Sequence, residues 1–239
     1  MPNMAIIYVK FERIFYILRV FGTFTNIWPA RPNIKKNELF LRDLYYYSAI
    51  FIFMAAVWIP MIIKTYKSRN DVSILMKNIS HIAALTEAIF NSILCRIKKR
   101  QLQSLLMSIE KFMEISKYRE RIVLQKYVNR YAMFISTVAI SFFVAGITVI
   151  FSPLFLSQEF PLDVWYPFST ESLLRKFILY IMQIFTITQT VFCLDVDIMI
   201  AVILFYSTVK LEILASEVEQ ATNEIDIISC IRKHQEIIK

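Results

Sequence analysis

The chain contains only two glycines, Gly22 and Gly146, among its 239 residues. Loops that hold the phosphates of nucleotides need several glycines so that the backbone can approach closely, so this class of binding site is excluded. A β-barrel rich in tight turns is disfavoured for the same shortage. Disorder is also excluded, because the mean hydropathy of the chain is +0.52.

Cysteine and histidine are scarce as well. The three cysteines, Cys95, Cys193 and Cys230, lie far apart, and no two have the CxxC spacing of a zinc site or belong to a disulfide framework. The histidines, His81 and His234, stand alone, whereas a metal site needs several ligands together. No Ser-His-Asp set falls within one polar loop. We therefore expect no metal, no other cofactor and no enzyme activity.

What the chain does contain is apolar: 57% of its residues are hydrophobic and only 19% are charged, against about a quarter charged in ordinary soluble domains. A transmembrane helix needs about 20 mostly apolar residues. We predict an all-α membrane protein, a helical bundle with four transmembrane helices. The predicted spans cover about residues 44–63, 78–95, 133–156 and 177–205, and the second is interrupted by Glu87.

The positions of Lys and Arg predict the orientation of these spans. Seven precede the first span, ten lie between the second and third, and four follow the fourth, whereas the two remaining loops carry four and two. The amino terminus is therefore expected in the cytoplasm. This distribution also accounts for the net charge of +8 without a nucleic-acid partner, because the basic residues form no single interleaved patch.

Two cytoplasmic segments are predicted to flank the transmembrane bundle of residues 44–209. In the first, residues 1–43, an amphipathic helix either lies on the inner membrane surface or packs as an ordinary cytoplasmic helix. Its apolar face comprises Ile7, Phe11, Ile14, Phe15, Leu18 and Phe21. The second segment, residues 210–239, begins a helical region that carries an apolar stripe of Leu211, Leu214 and Val218.

Ionisable residues within spans are functional candidates, because a charge at bilayer depth is costly. Glu87 lies nine residues before Arg96, or about 13 Å along a helix, which places it near the middle of the membrane. Asp195 and Asp197 come near the inner end of the fourth span and are separated by about 200° around the helix, so they do not form a catalytic pair. Glu87 and Asp197 are candidates for gating or for lining a polar cavity.

Three stretches carry a resemblance to a known family. They are Leu18–Gly22 followed by Ile27-Trp28-Pro29, then Phe160–Phe168, and last the end of the fourth span with Asp197, Leu211, Leu214, Cys230 and His234. In these stretches the chain resembles the insect odorant receptors, which are seven-helix ligand-gated cation channels with a cytoplasmic amino terminus. Because only four spans are found, the resemblance implies an amino-terminal partial sequence that lacks the pore-lining seventh span.

The resemblance also implies a function. The chain would be the odorant-binding subunit of a heterotetramer with an olfactory co-receptor, placed in the plasma membrane of olfactory sensory neurons and surrounded by the lipid bilayer. Its ligand would be a small volatile molecule, bound in the outer half of the bundle. The pocket positions implied are His81, Leu85, Ser141, Ala145, Gly146, Val149, Tyr180, Ile184 and Ile187.

Two alternatives stay open at this point. A gustatory receptor of the same superfamily would differ mainly in its last span. A membrane transporter is less favoured, because transporters often contain internal repeats and helices broken by glycine near the midplane, and here Gly146 is the only glycine within a predicted span.

Overall fold

The computed structural model describes residues 11–25, 28, 35–116, 118–156 and 158–238, and within these ranges every regular element is helical. Ile7, Ile27 and Pro29, which were used above, lie outside the described residues. The helices are α1 Phe11–Phe24, α2 Lys36–Ile52, α3 Ile59–Lys67, α4 Val72–Ile97, α5 Lys99–Ile115, α6 Tyr118–Phe155, α7 Leu173–Phe192, α8 Leu194–Gln220 and α9 Glu224–Ile238.

Among the described residues, three helical stretches are long and apolar enough to cross a membrane: Lys36–Lys67, Glu120–Phe155 and Leu173–Gln220. They contain the predicted first, third and fourth spans almost completely, since only residue 156 falls outside. The predicted second span lies within α4, which is a continuous helix but is not one of these three stretches. Its role as a membrane span therefore stays a prediction.

The first of these stretches is interrupted by a π-helical turn, Phe53–Trp58, which joins α2 to α3. Pro60 follows closely and has no N–H, so it cannot donate the hydrogen bond that the carbonyl of Ala56 would accept in a regular α-helix. The turn is wider here, and the N–H of Ile59 donates to the carbonyl of Met54, five residues back. A proline or a π-bulge is the usual cause of such an irregularity.

The described chain divides into two compact units. The second unit, residues 21–100 and 138–196, contains α2, α3, α4 and α7 together with the second half of α6. Arg96 and Asp43 form a 2.6 Å ion pair that ties α4 to α2. Its buried apolar side chains include Val57, Met61, Leu85, Ala88, Leu179 and Ile187, and an aromatic cluster is formed by Phe21, Phe24, Phe143 and Phe192.

The first unit consists of residues 1–20, 101–137 and 197–239. Its core is built from residues at helical spacing: Phe11, Phe15 and Leu18 of α1, Leu106, Ile109 and Phe112 of α5, and Leu124, Val128 and Ala132 of α6. Arg19 pairs with Glu110 at 3.2 Å. The apolar face of α1 is thus covered by protein, which is the packed arrangement that the second interpretation of this helix describes.

A buried acid marks the junction of α7 and α8, where a turn at Cys193 separates the helices. Asp195 lies in the first turn of α8, where the helix dipole favours a negative charge, and is only 5% exposed, whereas Asp197 is exposed. Gly22 packs directly against Asp195, because a Cβ on Gly22 would lie 2.7 Å from Asp195 Oδ2 and 3.2 Å from Trp28. Asp195 is therefore a packed residue rather than an acid at an open helix end.

Candidate functional site

The nine residues expected to line a ligand pocket all lie in the second unit, on three helices. Glu87 lies on α4 in the same unit, and Asp197 belongs to the first unit. The nine are His81 and Leu85 of α4, Ser141, Ala145, Gly146 and Val149 of α6, and Tyr180, Ile184 and Ile187 of α7.

Several of these residues meet where α6 packs against α7. A Cβ on Gly146 would lie only 2.4 Å from Val191 Cγ2 and 4.0 Å from Ile187 Cγ2, so the two helices approach closely because residue 146 has no side chain. The Tyr180 hydroxyl donates to the carbonyl of Ile150 at 3.1 Å. Gly146 and Tyr180 therefore hold the two helices together.

The nine positions differ in burial. Leu85, Gly146 and Ile187 are buried, and His81, Val149, Tyr180 and Ile184 are half-buried. Ser141 and Ala145 are exposed, and so is Glu87. The described chain therefore covers seven of the nine positions at least in part and leaves two, both on α6, exposed.

Buried hydrogen bonds attach residues 158–172, which we call the capping segment, to α7 and to the π-helical turn. Gln183, on α7 and fully buried, accepts a hydrogen bond from the Leu162 N–H at 2.9 Å and donates to the Tyr166 hydroxyl at 3.1 Å. The Tyr166 hydroxyl donates in turn to the Ala56 carbonyl at 3.0 Å. Pro60 has no N–H to donate to this carbonyl, so the carbonyl lacks its α-helical donor and is available to the Tyr166 hydroxyl.

Lysines contact side chains of the capping segment. Lys64 pairs with Asp163 at 3.5 Å, Lys176 pairs with Glu159 at 3.0 Å, and the Lys67 ammonium lies 3.2 Å from the centre of the Trp165 ring. Exposed ion pairs of this kind each contribute at most about 1 kcal/mol, whereas burial of Phe160 and Leu162 contributes more. The attachment is therefore mainly apolar, and the buried hydrogen bonds set its geometry.

Burial raises the pKa of the Tyr166 hydroxyl above its ordinary value, and the hydrogen bond from Gln183 partly offsets this rise. The phenol therefore stays protonated throughout the physiological pH range. A protonated hydroxyl is required here, because Tyr166 must donate a proton to the Ala56 carbonyl while it accepts one from Gln183.

A cavity of about 520 Å³ lies between the start of α4 and the capping segment. Its volume falls within the range of small-molecule sites. Charged groups line it on both sides: Lys77 from α4 and Glu159 and Asp163 from the capping segment, with Phe160, Leu162, Val164, Trp165, Tyr166 and Phe168 supplying apolar surface. This polar rim suits an entrance better than it suits a deep apolar pocket.

The pocket prediction missed several polar residues that are buried or half-buried. Gln183, Thr186 and Thr190 recur at helical spacing on α7 within an otherwise apolar run, and that periodicity could have indicated a polar stripe. Asn78 begins the sequence Asn78-Ile79-Ser80, which matches a glycosylation acceptor. Its side chain is 0% exposed, so it is not available for a glycan in the folded chain.

The chain is similar to known proteins both in sequence and in fold. A family model described as 7tm Odorant receptor matches residues 71–239. The fold is similar to that of the insect olfactory receptor OR5 from Machilis hrabei, solved alone and in complex with eugenol. Each comparison has a TM-score of 0.66 at 18% identity. The matches cover 95% of this chain and 61% of the receptor chain. No curated protein sequence matches the chain.

Proposed function

Because this chain belongs to the odorant receptor family, whose model matches most of it, we propose that it is the odorant-binding subunit of a heteromeric ligand-gated cation channel. The chain is a multi-pass membrane protein of a receptor family and not of an enzyme family. Its proposed place is the plasma membrane of olfactory sensory neurons, where it would detect small volatile molecules. Eugenol, bound by the similar receptor from Machilis hrabei, is one ligand of this class.

The observation that carries this proposal is the grouping of α4, α7 and the second half of α6 in one unit with the capping segment. Leu85, Ile184 and Ile187 offer apolar, partly covered surface there. A mostly apolar pocket with few polar groups suits a volatile ligand. An odorant that binds the open state more tightly than the closed state would shift the equilibrium by that difference in affinity.

Two surfaces support a partner subunit. Glu87 is exposed on the described chain, and on a spanning α4 an exposed carboxylate is costly in lipid, so it should face water or another subunit. Helix α9 exposes an apolar row at three-residue spacing, Ile225, Ile228 and Ile231. We propose that α9 packs against a co-receptor subunit, and that Glu87 and Asp197 act in gating or in a polar cavity.

The proposal is tested by expressing the protein in a heterologous cell with and without a co-receptor subunit and recording current evoked by a panel of volatiles that includes eugenol. We expect odorant-evoked cation current only when the co-receptor is present. Current that answers to sugars or bitter compounds, and to no volatile, would instead favour the gustatory alternative.

A bulky substitution in the proposed pocket should weaken the response to odorant. Ile184→Trp adds a large ring at a half-buried position on α7, and overpacking should exclude the ligand. The matched control is Ile181→Trp, one turn earlier on α7, where the side chain is 47% exposed. We expect at least a tenfold rise in the half-maximal odorant concentration for Ile184→Trp and less than twofold for Ile181→Trp, at equal surface expression. Equal effects would remove Ile184 from the pocket.

A further inference from the structure

Asn78, in the second turn of α4, is a fully buried polar residue of the second unit. Its side chain is 0% exposed, and neither Oδ1 nor Nδ2 has a hydrogen-bond partner among the described residues. His81, one turn along the same helix, has its Nδ1 covered and likewise unpartnered within the described part of the chain. Buried amides without partners are rare in folded proteins, so such a group indicates a partner beyond the described residues.

The neighbouring polar groups show that the fold can satisfy buried amides. Gln183 is also 0% exposed, yet both atoms of its amide are hydrogen-bonded, one to Leu162 and one to Tyr166. The hydroxyl of Thr186, also 0% exposed, donates to the carbonyl of Met182 at 2.9 Å. Asn78 therefore differs from Gln183 and Thr186, and among the described buried residues of this unit it is an amide with neither polar atom paired, whereas at Asp195 only Oδ2 is buried and unpaired.

The helix places Asn78 beside the proposed odorant pocket. Leu85 is seven residues further along α4, which puts it within about 20° of the direction of Asn78, and His81 lies between them about 60° to one side. Leu85 is 4% exposed, so this face of α4 points into the unit and not towards its surroundings. This face of α4 is therefore apolar at Leu85 and polar at Asn78 and His81, nearer the start of the helix.

We propose that Asn78 and His81 form a hydrogen-bonding subsite that selects odorants carrying a hydroxyl group. This inference rests on the proposed function and narrows its ligand class. A hydroxyl both donates and accepts, so it can donate to Asn78 Oδ1 and accept from Nδ2, and a nitrogen of His81 can take part as a further partner. A site with buried polar groups discriminates strongly against a ligand that leaves them unpaired.

The test compares 1-hexanol with 1-chlorohexane, which have similar shapes but differ in hydrogen bonding. Dissociation constants are measured by tryptophan fluorescence on the protein reconstituted in lipid nanodiscs, for the wild type, Asn78→Leu and His81→Phe. The ratio of the two constants is compared between variants, so that the difference in hydrophobicity of the ligands cancels. We expect Asn78→Leu to reduce the preference for the alcohol about tenfold, as loss of one to two hydrogen bonds predicts, and His81→Phe to reduce it less.

The matched control is Asn91→Leu on the same helix, about 220° around from Asn78 at 100° per residue. It should leave the ratio unchanged. A second readout is thermal stability without ligand: Asn78→Leu should raise the melting temperature or leave it unchanged, because it removes an unsatisfied buried group. A fall of several degrees would show that Asn78 already has a structural partner and would overturn the inference.

The outcomes separate this inference from the proposed function. If apolar volatiles bind but the alcohol preference is the same in the wild type and in Asn78→Leu, the hydroxyl subsite is refuted while the odorant receptor role stands. The same conclusion follows if His81→Phe and Asn78→Leu both fold and both keep the full preference. If no volatile binds the wild type at all, the proposed function fails, and the subsite fails with it.

Discussion

Replacing Gln183 by leucine is expected to lower the stability of the protein by about 3 kcal/mol and to release the capping segment. The side chain is fully buried and makes two hydrogen bonds, to the Leu162 N–H and to the Tyr166 hydroxyl. Leucine fills a similar volume but offers neither bond. The Leu162 N–H then stays buried without an acceptor, and leaving a buried donor unsatisfied costs more than the bond itself contributed.

Hydrogen exchange at residues 158–172 measures the release, and the melting temperature measures the loss of stability. Gln189→Leu is the matched control, because Gln189 lies on the same helix, is half-buried and donates to the Tyr45 hydroxyl at 2.8 Å. Its loss should leave exchange in the capping segment unchanged. If Gln183→Leu exchanged no faster than the wild type in this segment, then the buried amide would not be what holds it.

Replacing Gly146 by alanine should destabilise the contact between α6 and α7 by about 2 kcal/mol. Alanine alone would favour the helix by up to about 1 kcal/mol. The added Cβ would, however, lie 2.4 Å from Val191 Cγ2, well inside van der Waals contact. Valine is stiff at χ1 within a helix and has no easy way to turn aside. The steric conflict is therefore expected to outweigh the gain in helix propensity.

A double mutant isolates this conflict. Val191→Ala removes the obstructing Cγ2 and leaves its Cβ 3.7 Å from the new methyl group, which is an ordinary contact. Gly146→Ala combined with Val191→Ala should therefore be at least as stable as Val191→Ala alone, and thermal unfolding of all four variants gives the coupling energy. Val144→Ala, at an exposed position of α6, controls for general effects on the helix. Strictly additive effects would contradict the proposed contact.

The sequence was sufficient to predict the three long apolar helical stretches, because uncharged runs of membrane length have few alternatives to a helix in lipid. It did not predict the turn at Cys193, which divides the predicted fourth span into α7 and α8. Hydrophobicity alone did not predict the π-helical turn at Phe53–Trp58, since its residues are as apolar as the helix around them. The rotation of each helix about its own axis, which decides the residues that face a neighbouring helix, also could not be predicted from the sequence. Gly146 was assigned to a pocket by its depth, but its contact with Val191 depends on which faces of α6 and α7 meet.

Irregular segments were the hardest to predict. Residues 160–168 were singled out only by the resemblance to odorant receptors. Their hydrogen bonds to Gln183 and Ala56 could not be predicted, because an irregular segment has no helical or strand periodicity. The burial of Asn78 was not predicted either, because the glycosylation motif Asn78-Ile79-Ser80 does not indicate which face of α4 the rest of the unit covers. Whether a polar side chain such as that of Asn78 is hydrogen-bonded depends on its neighbours in three dimensions, which the sequence does not give.

The capping segment is attached to the first membrane stretch through main-chain atoms. The Ala56 carbonyl receives the Tyr166 hydroxyl, and the Pro60 carbonyl receives the Trp165 N–H at 3.4 Å. Since every amino acid carries a carbonyl, the residue at position 56 can be exchanged for another of similar size while the fastening remains. The side chains near this attachment can therefore change without removing the hydrogen bonds that hold the capping segment. Pro60 favours the contact, because it leaves the Ala56 carbonyl without the N–H that a regular α-helix would supply.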